Sequence, residues 1–237
     1  EAGRERAFIE NDERMGEQVG LTARDGHAFD AYRADPAGEP IGGIVVVQEI
    51  FGLTAHMKRV VDRYAAEGFA AVAPALFDRV ERGLVLDYSE IERGRATMQK
   101  LDWQNTLADV QAAVESLGDL GIGVVGFCWG GTVAHVAASE LSIDAAVSYY
   151  GTGVARMLDK QPKCPILYHF GELDRSIPPD AIERIRQAVP NGIFHVYPGA
   201  DHGFDCRDRA AYSPSDSQLA FERSVSFLRE HLAAKRS

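Results

Sequence analysis

Cys128 stands in Gly126-Phe127-Cys128-Trp129-Gly130-Gly131, after the apolar run Ile122-Gly123-Val124-Val125 and before the small-residue stretch Thr132-Val133-Ala134-His135-Val136-Ala137-Ala138. A strand turning sharply into a helix would lift Cys128 to the top of a sheet and set it at the positive end of the helix. The flanking glycines suit such a turn, because side chains there would clash with the neighbouring strand and helix. A thiol attacks as its thiolate, so a cysteine so placed needs a lowered pKa or a base. Gly171-Glu172-Leu173-Asp174 follows a strand pattern and offers Asp174 as an acid; Gly199-Ala200-Asp201-His202-Gly203-Phe204 follows the last strand pattern and offers His202. Nucleophile, acid, histidine is the chain order in which enzymes with such an elbow carry a triad. The chemistry would be acyl transfer.

Each residue also has a plainer reading. Buried cysteine is often a small hydrophobe, Asp174 could cap a turn, and His202 could lie on a loop surface. Glu172 competes for the role of acid, and His169 and His195 compete for the role of base. His169 lies inside a strand pattern and His195 alternates with apolar neighbours, as sheet residues do. Asp201 adjoins His202 but would point away from its ring. Glu49 ends a buried apolar run, and an unpaired buried charge is costly enough to ask for a reason. Gly121-Ile122-Gly123-Val124-Val125-Gly126 matches G-x-G-x-x-G, but a dinucleotide fingerprint must follow a strand and open a helix. Here it coincides with the strand itself.

The elements that would position these groups alternate along the chain. Residues 1 to about 15 are polar and read as a flexible segment; residues 16–237 read as a single domain. Gln18 to Ala23 and His27 to Arg33 are short alternating runs around Asp25-Gly26, a hairpin signal. Ile41 to Gln48 is continuously apolar, as for a strand buried on both faces. Ala55 to Glu67 has helical spacing and stops at Gly68, and Phe69 to Ala73 is the next strand. Residues 75–100 read as an irregular, charged excursion over the sheet. Asp102 caps a predicted helix reaching Leu117. Strands follow at Ala145 to Tyr150, Ile166 to Phe170 and Ile193 to Tyr197, with a helix opened by Pro178-Pro179 and a closing helix from Ser215 to Leu232 that has Leu219, Val225 and Leu228 among its apolar positions. The pattern predicts a mainly parallel twisted α/β sheet of about seven or eight strands, helices on both faces and an N-terminal hairpin.

Composition narrows the function class. The chain has 237 residues, 46% hydrophobic and 25% charged, as in ordinary globular proteins. A net charge of −10 opposes non-specific nucleic-acid binding, because the long-range field repels phosphates. Cys128, Cys164 and Cys206 cannot all pair, which favours a reducing, cytoplasmic setting. No run approaches the ~18 apolar residues of a membrane span. No His/Cys/Asp cluster has metal-ligand spacing, so neither metal nor cofactor is expected.

Taken together, Gln48-Glu49-Ile50-Phe51-Gly52, Pro74-Ala75-Leu76-Phe77-Asp78-Arg79, the Cys128 elbow, Tyr149-Tyr150-Gly151, Gly171-Glu172-Leu173-Asp174 and the segment ending at His202 resemble the dienelactone hydrolases, or carboxymethylenebutenolidases. These are cysteine-nucleophile members of the α/β-hydrolase superfamily. The similarity runs from about Asp25 to the closing helix. It implies that Glu49 lies near the thiol and helps deprotonate it as substrate arrives. It implies an oxyanion hole formed by the backbone N–H groups of Ile50 and Trp129, with Tyr150 and Phe51 beside the substrate. The family grips its substrate's carboxylate with two arginines. Arg79 matches the first, whereas Cys206 occupies the second position with Arg207 and Arg209 beside it, so Arg207 is the candidate substitute.

The resulting expectation is a hydrolase of a small, carboxylate-bearing lactone or ester, a monomer or weak homodimer, acting through a thioester on Cys128. Conversion of dienelactone to maleylacetate is the leading candidate reaction. The rival is a non-catalytic fold-mate whose reactive thiol senses oxidants or binds a carbonyl ligand.

Overall fold

Glu17–Thr22 (β1) and Ala28–Ala34 (β2) form the expected antiparallel hairpin, closed by Asp25-Gly26 with Gly26 at φ 89°. The computed structural model describes residues 16–232; the segment expected to be flexible, residues 1 to about 15, lies outside them. β2 also pairs antiparallel with Ala70–Pro74 (β4), which is parallel to Gly43–Val47 (β3). Ile122–Phe127 (β5), Ala145–Tyr149 (β6), Ile166–Gly171 (β7) and Ile193–Tyr197 (β8) continue the parallel part. The eight strands run in the order β1-β2-β4-β3-β5-β6-β7-β8.

Every residue of β3, β4, β5, β6 and β7 is buried, which requires cover on both faces of the sheet. The cover comes from Ala55–Ala66 (α1), Trp103–Ser116 (α3), Trp129–Glu140 (α4) and Pro214–Leu232 (α6). α3 packs beside α4, and α1 beside α6, where the rings of Tyr64 and Phe221 lie 5.2 Å apart. Pro179–Ala188 (α5) begins just after Pro178, the residue at its N-cap. On α6 the inward face carries Ala220, Ser224, Val225 and Leu228, while the apolar Leu219 is 41% exposed.

The stretch 75–100 is more ordered than its sequence suggests. Leu76–Arg79 forms a single 3-10 turn, and Ile91–Met98 is a helix (α2). Its buried positions are Gly94 and Thr97, so it lacks the stripe of large apolar residues by which a helix is read. Gly94 is required by proximity: a methyl group there would overlap the Ile50 carbonyl oxygen. α2 is thereby seated against the loop after β3.

Because β3 to β8 are parallel, their C-terminal ends share one edge of the sheet. Glu49 follows β3, Cys128 follows β5, Tyr150 follows β6, Asp174 follows β7 and His202 follows β8. Residues far apart in sequence are gathered there, where open α/β sheets place their ligands.

Asp102 caps α3 as its sequence predicts, accepting the Asn105 N–H at 2.7 Å. Asp102→Ala should lower stability by about 1 kcal/mol. The check is a lowered urea midpoint at unchanged slope; an unmoved midpoint would contradict the cap.

Candidate active site

Cys128 adopts φ 55° and ψ −118° immediately before α4, donating its N–H to Tyr149 O at 3.0 Å. Positive φ at a residue other than glycine is costly and persists only where its surroundings enforce it. Here a Cβ on Gly130 would overlap the Val47 and Gln48 carbonyl oxygens, and one on Gly126 would overlap Gly130. The turn is therefore wedged against β3 and β6, and the thiol sits at its crest, buried but lining a cavity of about 650 Å³.

His202 reaches the same cavity from the loop after β8. Its Nδ1–H donates to Asp174 Oδ2 at 2.7 Å, and Asp174 Oδ1 accepts the Ser176 N–H at 2.8 Å. The Cys128 sulfur lines the same cavity and lies near enough to interact with the ring. Burial would push the imidazole pKa down, but the sulfur, as a thiolate, and the Asp174 carboxylate outweigh it and raise the pKa to about 10. An imidazole held between a carboxylate and a sulfur can carry a proton to and from that sulfur.

The competing groups have other partners. Glu172 accepts the Gly199 N–H at 2.9 Å and so steadies the loop that carries His202. His169 is fully buried, bonded to the Tyr197 and Ser224 hydroxyls, and burial drives its pKa well down. His195 stacks on His169 in the sheet. The Cys206 and Cys164 thiols are pushed up to about 11 by burial, which keeps them protonated and unreactive.

Glu49 is buried at the end of β3, with Arg209 Nη1 donating to its Oε1 at 3.4 Å. Its Oε2 has no hydrogen-bond partner among the described residues. Ile50 and Trp129 both line the cavity, and neither backbone N–H has a protein acceptor among the described residues. Both are therefore free to receive an oxyanion. Phe51 lines the cavity as well, whereas Tyr150 lies behind His202, with the ring centroids 5.1 Å apart and its hydroxyl without a hydrogen-bond partner among the described residues.

The two arginines expected to bind substrate are not brought to the cavity. Arg79 forms a fork on the buried Asp109, through Nε at 2.8 Å and Nη2 at 2.6 Å, and its Nη1 reaches Asp25 at 2.8 Å. A buried carboxylate demands a counter-charge, and Arg79 is it. Arg207 points to solvent, outside the cavity. Arg209 takes the place instead: the Arg209 N–H bonds Cys206 O at 3.1 Å, a turn that folds the chain back so that its guanidinium lines the cavity near Phe51 and Tyr88. A three-residue turn after Cys206 was the available signal, and sequence adjacency hid it.

Among the described residues, no group of three or more His, Cys, Asp or Glu is arranged to hold a metal ion, and no helix is long and apolar enough to cross a membrane.

Comparisons with known proteins agree in extent. The profile of the Dienelactone hydrolase family matches residues 29–232. A carboxymethylenebutenolidase of Pseudomonas putida is 35% identical over 228 residues, covering 90% of this chain and 96% of that protein. The same figures hold for a carboxymethylenebutenolidase of Pseudomonas knackmussii. A crystal structure described as a "Putative Dienelactone Hydrolase" from Klebsiella pneumoniae superposes with a TM-score of 0.76 at 28% identity, covering 92% of this chain and 99% of the other.

Arg79→Met should lower stability by roughly 3–5 kcal/mol, because Asp109 would be left buried without its cation. Denaturant unfolding checks this; full stability would mean that the fork is incidental.

Proposed function

The chain belongs to the dienelactone hydrolase family, and on that premise we propose that it hydrolyses small carboxylate-bearing lactones or esters through a thioester on Cys128. The observation that carries this reading is the 2.7 Å bond from His202 to Asp174, with the ring and the Cys128 sulfur lining one cavity and interacting there. The fold and family support a hydrolase; the assignment of each step to a residue is our own.

The substrate's carboxylate pairs with Arg209 and displaces Glu49. Glu49, freed with its unpartnered Oε2, accepts the thiol proton and passes it to His202, so that the ring ends protonated and Glu49 is again a carboxylate. The Cys128 thiolate attacks the carbonyl carbon: a C–S bond forms, and the carbonyl electron pair moves to oxygen. Ile50 and Trp129 N–H groups hold that oxyanion, donors typically worth about 2.7–4 kcal/mol each in the transition state. Collapse breaks the C–O bond, and the leaving oxygen takes a proton from His202. His202 then removes a proton from water, whose oxygen attacks the thioester and releases the acid and the thiolate. Asp174 keeps the ring oriented throughout and stabilises its charged form. Opening a dienelactone to maleylacetate fits this sequence, since its ring ester and its carboxylate lie in one small molecule.

Turnover of dienelactone and of an activated ester should vanish in Cys128→Ala and fall by roughly 10²–10⁴ in Asp174→Asn. Equal rates in wild type and Cys128→Ala would sink the reading. Alkylation of the wild-type thiol without turnover would favour a thiol sensor. Arg209→Gln should raise KM for carboxylate-bearing lactones far more than for neutral esters, whereas Arg79→Met should not discriminate between them; the reverse result would return the carboxylate to Arg79.

A further inference from the structure

The cavity over Cys128 is larger than a small lactone needs. Its volume of about 650 Å³ falls within the roughly 300–1,000 Å³ that receive drug-sized ligands. The walls carry both polar and apolar side chains. Near Cys128 are His202, Arg209 and the two free amides. Met98, Leu101 and Trp103 on the α2–α3 side and Met157 after β6 also line the cavity and are only partly buried. A ligand body lying across them would remove apolar surface from water.

The charge lining the cavity runs against that of the whole protein. Three arginines, Arg95, Arg156 and Arg209, face one carboxylate, Asp102, in a chain whose net charge is −10. Arg209 is held by Glu49 and Arg95 by Glu92 at 2.9 Å. Arg156 ends a short 3-10 turn, Val154–Arg156, with its side chain exposed. Among the described residues it has neither an ion pair nor a hydrogen bond from its side chain, so its guanidinium is free to bind an anion.

We propose that this cavity takes an elongated substrate with an anionic group at each end. Its reacting carbonyl and one carboxylate lie between Cys128 and Arg209, its apolar body crosses Met98, Leu101, Trp103 and Met157, and its distal carboxylate meets Arg156. The position of the carbonyl rests on the hydrolase reading above; the distal subsite is a statement about binding alone. Of the lactones and esters open to this chemistry, it selects those with a second carboxylate several bonds beyond the ester.

Isothermal titration separates the two claims, because it needs no turnover. The probes are sebacate, its monoamide, and the short pair succinate and succinamate. Sebacate should bind wild type about fivefold tighter than its monoamide, the size of one exposed ion pair, and rising salt should erode the difference. The short pair, unable to span the cavity, should show no such gain. The sebacate gain should vanish in Arg156→Gln and survive in Arg184→Gln, which alters an exposed arginine on α5. Equal binding of sebacate and monoamide in wild type would overturn the proposal. A gain that persists in Arg156→Gln, or that is lost in Arg95→Gln instead, would overturn it too. Loss of the hydrolase reading would appear only in the Cys128 turnover comparison and would leave these titrations unchanged.

Discussion

A cysteine at φ 55° costs of order 1–3 kcal/mol in backbone strain, and much of the upper edge of the sheet is shaped to hold it there. The strain persists because relaxation is blocked. Gly126 and Gly130 lie so close to the backbone of β3 and of the turn itself that not even a methyl group would fit, and the Cys128 N–H is fixed to Tyr149. The same geometry presents the thiol to the cavity and starts α4 directly behind it. One constraint thus sets both the access of the proposed nucleophile and its place at the start of α4.

Around that point the charges are arranged in two linked pairs. Asp174 holds His202 in the cavity that Cys128 also lines, and Arg209 holds Glu49 at the neighbouring strand end. The first pair is short and the second is long, at 3.4 Å with one carboxylate oxygen unpartnered. A buried acceptor without a donor is costly. The second pair is therefore the one that the proposed substrate's carboxylate would exchange, the step by which Glu49 is proposed to couple substrate arrival to thiol deprotonation. Arg79, by contrast, makes three short bonds to two carboxylates and is committed to the structure.

The parts of this arrangement legible in the sequence are those written locally. The unbroken apolar runs of β3 and β5, the Asp102 cap and the glycine-flanked elbow each announce themselves within a few residues. Cys128, Asp174 and His202 could be placed because each stands just past such a strand. The arginines could not, because their positions depend on distant partners: Arg79 on Asp109 in α3, and Arg209 on a turn that reverses the chain after Cys206. α2 stayed hidden for a related reason. It buries a glycine against the Ile50 carbonyl rather than a stripe of large side chains, so hydrophobic periodicity had nothing to detect.

The central claim is a covalent acyl group on Cys128, and acid-quenched intact and peptide mass spectrometry tests it most directly. With a slowly hydrolysed ester, the wild-type protein should gain the mass of one acyl group, and the digest should place it on the peptide containing Cys128. His202→Ala, which lacks the base for hydrolysis, should hold whatever acyl group it gains for longer. Turnover without any acyl adduct, or an adduct confined to another residue, would contradict the account.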